Sequence, residues 1–443
     1  MALNDLRGKS PEFDLTILGS GWTGLLYARK AVRGGIRSVS LLDMDERGHL
    51  GGLLRTEVID GFTFDIGGPH LLFSRDEDTL SSILKILRGN YSRRKRNNFV
   101  LYDGKLVPYP FENGIYKLPA DERVMFVKGI LERMLFIAKN EWQPNNFMEW
   151  VKGIFGDYMA KEYLIPYNAK IWKRPLESMA ADWVFTPGRL PLPELEEIVR
   201  AAAGIPSVGY KEQAYFYYPR RGGIHALFQS LYEEVSLSGA KFIGGERVEE
   251  IRRKRDGTYE INGRILAKRV ISTIPLPELL LALGGTNEIR HLAEGFDWNG
   301  VVVVGVALPY RSRGRTTIYV PDHKVIFHRY TWMSSMVPPR DPGKGNLIAE
   351  ITVPKGEQPD MDRITEDTVR GLANVGALRD ERDVIFTRAW FHKYGYPIYS
   401  MNHNEIRSKA MQMLGEVGIY SIGRWGSWHY WNTDMVYKAV MES

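Results

Sequence analysis

Residues 15–24 read Leu15-Thr16-Ile17-Leu18-Gly19-Ser20-Gly21-Trp22-Thr23-Gly24, an apolar run that breaks into a glycine turn and then a helical pattern. A second apolar run, Val39-Ser40-Leu41-Leu42, ends at Asp43. Each glycine has a physical task. Gly19 permits the tight turn, Gly21 lets backbone approach a pyrophosphate, and Gly24 lets the helix pack on the strand. The helix N-terminus directs partial positive charge at phosphates, and Asp43 is placed to accept from ribose hydroxyls. The stretch predicts a strand–turn–helix–strand cradle for a dinucleotide. Further on, Gly51-Gly52-Leu53 and Arg55 precede Asp65-Ile66-Gly67-Gly68-Pro69-His70. Paired glycines there let backbone lie flat against a bulky group.

The chain has 443 residues, enough for two or three packed lobes around a large core. Its 44% hydrophobic and 25% charged content is that of an ordinary globular protein. No apolar run approaches the roughly 20 residues of a membrane span, and the polar residues 1–12 lack the apolar centre of a secretory signal. Cysteine is absent, which excludes a disulfide framework, a thiol nucleophile and cysteine metal ligands. The histidines are scattered without metal-site spacing. A cytoplasmic enzyme without a metal is the expectation. The net charge of +6 favours anionic ligands. Of two basic runs, Arg93-Arg94-Lys95-Arg96 and Arg252-Arg253-Lys254-Arg255, the second abuts Asp256-Gly257 and reads as the solvated face of a hairpin. No nucleic-acid motif accompanies either run.

Past the cradle, residues 77–87 read as a helix and 98–107 as two short strands joined at Asp103-Gly104. Helical signals dominate 120–205, with candidates at 122–137, 148–155, 157–164 and 194–203. Within them, Pro166-Tyr167-Asn168-Ala169-Lys170-Ile171-Trp172 is too aromatic to be a linker. Short strands follow at 215–218, 241–243, 248–253, 259–262 and 270–274, then an antiparallel sheet at 300–308, 316–320, 325–332 and 347–353, with another strand at 386–392. The expected architecture is α/β. A Rossmann-like domain (1–90, 206–295 and 410–443) carries an inserted helical lobe (120–205) and an antiparallel β-sheet domain (91–119 and 296–409).

Several segments, in this order, resemble the UDP-galactopyranose mutase family of flavoproteins, within the amine-oxidase-like FAD superfamily. They are the cradle itself, Val107-Pro108-Tyr109-Pro110-Phe111-Glu112-Asn113, the 166–172 segment, Tyr218-Pro219-Arg220-Arg221-Gly222-Gly223, Gly395-Tyr396-Pro397 and Gly423-Arg424-Trp425-Gly426-Ser427-Trp428-His429-Tyr430. The resemblance implies FAD, active when reduced, and interconversion of the pyranose and furanose rings of a UDP-sugar by attack of flavin N5 on the anomeric carbon. UDP-galactopyranose and UDP-galactofuranose are the default pair, serving cell-surface glycan biosynthesis. An NAD(P)H or flavin reductase is the implied electron source. The alternative is an FAD-dependent oxidoreductase of the amine oxidase and protoporphyrinogen oxidase type.

Carried over by position, the resemblance gives catalytic roles to His70, Arg329 and Arg424. Substrate contacts fall to Tyr109, Phe111, Asn168, Trp172, Arg189, Tyr319, Arg329, Tyr396 and Tyr430. Cofactor contacts fall to Gly19, Gly21, Gly24, Asp43, Gly51, Gly52, Leu53, Arg55, Gly67, Gly68, Val248, Gly423, Arg424, Asp434 and Met435. Arginine suits a diphosphate because its planar fork meets two oxygens at once. Two positions depart from the family: Glu112 stands where glutamine is common, and Thr317 where an aromatic residue often lines the pocket.

Overall fold

The computed structural model describes residues 12–46, 50–185, 193–206, 214–284, 286–312 and 314–443. Its organising strand, Leu15–Leu18, is buried along its whole length. It stands at the centre of a five-stranded, all-parallel sheet in the order Lys241–Ile243, Val39–Leu42, Leu15–Leu18, Val270–Ser272, Tyr420–Ser421. A strand covered on both faces needs an unbroken apolar run, which is what residues 15–18 and 39–42 supply. The helix Trp22–Arg33 leaves the glycine turn and packs against the helices His225–Leu237 and Thr433–Glu442. A small meander, Ile251–Arg253, Tyr259–Ile261 and Ile265–Ala267, sits beside this sheet, with the exposed basic residues 252–255 around its first turn.

The second large sheet has seven strands, in the order Phe386–Ile398, Asp297–Leu308, Gly345–Pro354, Arg329–Thr331, Thr317–Tyr319, Phe99–Tyr102, Lys105–Pro108. It is antiparallel except where Thr317–Tyr319 runs parallel to Phe99–Tyr102. The last long strand continues past residue 392 to Ile398, with a register shift opposite Asn299 and Val301. Gly395 makes the shift possible, since a Cβ there would fall 3.0 Å from the Val301 side chain. Strand structure over 325–332 is confined to Arg329–Thr331.

The helices Ala120–Lys139, Phe147–Met159, Ile165–Trp172 and Leu195–Ala202 come between the strands in chain order, with Ala120–Lys139 packing on Phe147–Met159 and on Leu195–Ala202. The candidates at 148–155 and 157–164 form one run with 165–172, through a π-helical segment, Ala160–Leu164. Gly156 interrupts it with φ 79° and ψ 163°. The cause is close approach: a Cβ on Gly156 would lie 2.6 Å from the carbonyl carbon of Gly129 on the neighbouring helix. Only glycine holds both that φ and that contact.

The end of this run is fastened to the seven-stranded sheet. Asn299 Nδ2 donates to the carbonyls of Ile171 (2.9 Å) and Trp172 (2.7 Å), and Thr352 Oγ1 donates to the Lys170 carbonyl (3.1 Å). These are orphan C-terminal carbonyls that a buried helix end must satisfy. In the first lobe, Asp65 plays the opposite part as an acceptor. Fully buried, it accepts from Thr56 Oγ1 (2.7 Å), the Ile224 amide (3.2 Å) and the Tyr218 hydroxyl. Burial nevertheless pushes its carboxyl up to about 6, against those three donors.

Two measurements follow from these anchors. Asn299→Ala strips two buried carbonyls of their donor and should cost about 2 kcal/mol in urea unfolding; an unchanged midpoint would show that the helix end is held elsewhere. For Asp65 the folded-state carboxyl titrates above its unfolded value of 3.8, so the native state binds more protons between about 4 and 6. Its contribution is complete at the acid end and is lost as pH rises to about 6. Relative to Asp65→Asn, the protein should therefore lose thermal stability across that window, and parallel pH profiles for the two would refute the assignment.

Candidate active site

Three neighbouring strands place Tyr319, Arg329 and Glu350 in one register row, with Tyr319 opposite Arg329 and Arg329 opposite Glu350. Strand alternation sends Ile318, Tyr330, Ala349 and Ile351 to the other face, into an apolar cluster. On the near face Glu350 takes the Arg329 guanidinium as a fork, Nε to Oε1 and Nη2 to Oε2, both at 2.6 Å. Tyr396 donates its hydroxyl to Glu350 Oε2 at 3.2 Å. Burial alone would lower the Arg329 pKa, but Glu350 and the oxygens of Tyr396 and Tyr319 outweigh it, so the group stays charged.

The row forms the floor of an open cleft of about 1440 Å³. One wall is the loop Gly67-Gly68-Pro69-His70. Gly68, at φ +88°, lies so close to the ion pair that a Cβ would sit 3.0 Å from Glu350 Oε2. His392 Nε2 sits 2.8 Å from the Ile66 carbonyl just before the loop. Gly67 presses on Leu53, whose carbonyl would stand 2.2 Å from an added Cβ. The opposite wall comes from the helix Ile165–Trp172. Asn168 spends both amide atoms within this run: Oδ1 accepts from Trp172 Nε1 (3.1 Å) and Nδ2 donates to the Leu164 carbonyl (2.8 Å). It therefore sets the Trp172 ring, which meets Tyr430 edge-on at 5.7 Å.

Arg424 closes a third side. It donates to the carbonyls of Gly395 (2.7 Å) and Trp431 (3.1 Å) and lies over the Tyr430 ring at 4.6 Å. Tyr109 stacks on Tyr319 at 4.7 Å. Burial, then the neighbouring Tyr319, raises the Tyr109 hydroxyl; burial, then Glu350, raises that of Tyr396. Both hydroxyls stay protonated at neutral pH and remain donors.

The dinucleotide turn lies behind the loop. Gly19 has φ +91°, and a Cβ on Gly24 would fall 2.0 Å from the Gly19 carbonyl oxygen, so helix and strand touch there. Around Gly21 no atom stands within 4 Å of an added Cβ. The helix Trp22–Arg33 has no side-chain cap bond and no acidic residue in its first turn, leaving its amides for a phosphate. Asp43 holds Ser20 through the amide (2.8 Å) and the hydroxyl (2.7 Å), and the Asp45 amide (3.0 Å). Gly423, at φ +95°, packs on the same helix start, where a Cβ would meet Thr23 Oγ1 at 2.4 Å. Gly51, Gly52 and Arg55 flank Leu53, and Asp434 and Met435 open the helix Thr433–Glu442.

Of the residues nominated from sequence, Leu53, Gly67, Gly68, His70, Tyr109, Asn168, Trp172, Tyr319, Arg329, Tyr396, Arg424 and Tyr430 all border the cleft. Phe111 does not. It is fully buried, stacked on Tyr163 at 4.6 Å and packed edge-on against Phe126, so it builds the helical lobe's aromatic core. Val248 packs into the apolar cluster beside the small meander. Arg189 lies outside the described residues. Thr317 borders the cleft, bonded to Thr331 at 3.0 Å, whereas Glu112 is buried on the short helix Phe111–Gly114 and does not border it. Sequence reasoning missed Glu350, Arg96, Asn98 and Tyr167, all cleft residues. Glu350 had a signal, a single carboxylate inside Leu347-Ile348-Ala349-Glu350-Ile351.

Comparison with known proteins places this geometry. A model of the family described as flavin containing amine oxidoreductase matches residues 23–442. A crystal structure of reduced UDP-galactopyranose mutase superposes with a TM-score of 0.86 at 25% identity, over 97% of this chain and 92% of its own. A structure from Exiguobacterium sp. 255-15 named for protoporphyrinogen oxidase gives 0.71 at 19% identity, over 98% and 100%. A putrescine oxidase variant gives 0.63 at 16%, over 98% of each chain. The last two share the fold. FAD is the cofactor, and the open space at Gly21, the uncapped helix start and the flat Gly67–Gly68 backbone fit it. The chain belongs to the flavin containing amine oxidoreductase family.

Proposed function

We propose that this enzyme is a flavin-dependent sugar-nucleotide mutase that interconverts pyranose and furanose rings, with UDP-galactopyranose and UDP-galactofuranose as its pair. The observation that carries the reading is the Tyr319–Arg329–Glu350 row beside Arg424 and the Gly67–His70 loop. An oxidase acting on an amine needs no arginines converging on a diphosphate. The likeness to UDP-galactopyranose mutase over nearly the whole chain supports the same reading.

FAD, when bound and reduced, supplies the nucleophilic nitrogen for an exchange that has no net redox change. The chain's own residues do the rest. Among the described residues Glu350 occupies Arg329 Nε and Nη2 and no hydrogen bond engages Nη1. Arg329 offers fixed positive charge to the diphosphate as that group departs. Tyr396 and Tyr109 add neutral hydroxyl donors, and Arg424 orders Tyr430 through its ring face. Trp172, Trp183 and His70 line the cleft, where the tryptophans would wall a sugar from water and the His70 loop would face the flavin. Holding reactants in line this way adds to the electrostatic stabilisation of the departing group. The same reading makes the enzyme cytoplasmic, with electrons supplied by a nicotinamide- or flavin-dependent reductase.

Dithionite-reduced protein should convert UDP-galactofuranose to UDP-galactopyranose, followed by chromatography, while the oxidised protein does not. Steady oxygen consumption with an amine and no isomerisation would sink the proposal. Arg329→Ala should lower turnover by about 100-fold or more while the flavin absorbance stays; loss of flavin instead would place Arg329 in the cofactor site.

A further inference from the structure

The helix Ile165–Trp172 borders two cavities. Tyr167, Asn168, Ile171 and Trp172 face the cleft described above. Pro166, Ala169, Lys170 and the following Lys173 line a second, solvent-open cavity of about 1250 Å³. Its other walls are residues 323–326, which lead into the Arg329 strand, and the helix Met361–Asn374. Gly371 on that helix lets the wall close in, since a Cβ would stand 3.0 Å from the Phe327 ring.

The lining is cationic. Lys170, Lys173, Lys324 and Arg370 contribute four basic groups with His323 beside them, against the single carboxylate of Asp367. That carboxylate is already engaged by Arg370 at 3.1 Å and Arg363 at 3.8 Å. The three lysines thus face the cavity without a carboxylate of the lining to balance them. Lys170 is no solvated surface group: it is only 7% exposed. Its Nζ donates to the carbonyls of Val320 (3.0 Å) and Asp322 (2.5 Å). Among the described residues its third N–H has no acceptor. A buried ammonium held by carbonyls alone is costly. Burial draws it down to about 7, against the pull of Asp322, and burial lowers Lys173 as well. A bound anion would relieve both.

We propose that this second cavity binds a small multivalent phosphate anion, either free or as the phosphate tail of a nucleotide, on the far side of the helix that walls the cleft. Lys170 supplies the buried donor, and Lys173, Lys324 and Arg370 supply the outer charge. The site stands independently of the mutase reading.

Titration calorimetry of the FAD-loaded protein with inorganic pyrophosphate at low salt tests it. The expected result is a binding event that survives Arg329→Ala and weakens at least tenfold in the Lys173→Glu, Lys324→Glu double variant. Both lysines are exposed, so the thermal midpoint and flavin absorbance should be retained; Arg370→Ser, which leaves the lysines in place, should weaken binding in the same direction and decides the matter if the double variant loses flavin. Binding unchanged in the charge-altered proteins, abolished by Arg329→Ala, or absent at millimolar pyrophosphate overturns the proposal. ATP that competes with pyrophosphate supports a nucleotide source, and pyrophosphate binding that ATP fails to displace supports the free anion.

Discussion

The fork between Arg329 and Glu350 is the contact on which the cleft depends. Glu350 is 2% exposed as a side chain, and a carboxylate so placed must be paired. Removing two charges from water usually costs as much as their attraction returns, so the pair is better read as a positioning device than as a source of stability. Two of the five guanidinium donors are fixed by Glu350, which locks the plane of the group. The guanidinium so held borders the cleft. Tyr396 adds a third donor to the same carboxylate and is oriented by it in turn.

That fork in turn requires glycines elsewhere. Gly68 must lack a Cβ for the loop to lie on Glu350, and Gly67 must lack one for Leu53 to lie under the loop. Gly423 lets the segment that carries Arg424 dock on the start of the dinucleotide helix. Glycines of the first and last parts of the chain thus bring the cofactor cradle against the seven-stranded sheet. The ion pair and the cradle are separate in sequence but share one packed boundary, where changing either side moves the other.

Much of this was legible beforehand, for reasons that differ by residue. The parallel strands announced themselves because burial on both faces demands unbroken apolar runs at 15–18 and 39–42. The cradle glycines were legible because backbone conformation and close approach admit no substitute. Glu350 was hidden because its strand reads as an apolar run, and only pairing across the sheet reveals its partner. Arg96 was hidden inside a basic run whose members alternate, with Arg93 and Lys95 exposed and Arg96 at the cleft. Phe111 misled for the converse reason: a motif carries core residues as well as contacts, and spacing alone does not separate them. The helical lobe was read as separate pieces because the Gly129–Gly156 contact, which explains its break, joins residues distant in sequence.

The strand Gly345–Pro354 connects these parts into one mechanical unit. Glu350 holds Arg329, and two residues on, the same face presents Thr352 to the Lys170 carbonyl. Neighbouring Asn299 takes the next two carbonyls of that helix, so the wall carrying Trp172 is indexed to the strand that indexes the arginine. Lys170 completes the connection in the other direction, from the helix to the Val320 and Asp322 carbonyls beyond the Tyr319 strand. A shift of the helix by even a fraction of a turn would break five buried or part-buried hydrogen bonds together. The lobe's wall is therefore fixed relative to the ion pair. The helix Leu195–Ala202 exposes Leu195 and Val199. The cleft wall carrying Trp172 and the Arg329–Glu350 pair are thus held by one connected set of hydrogen bonds.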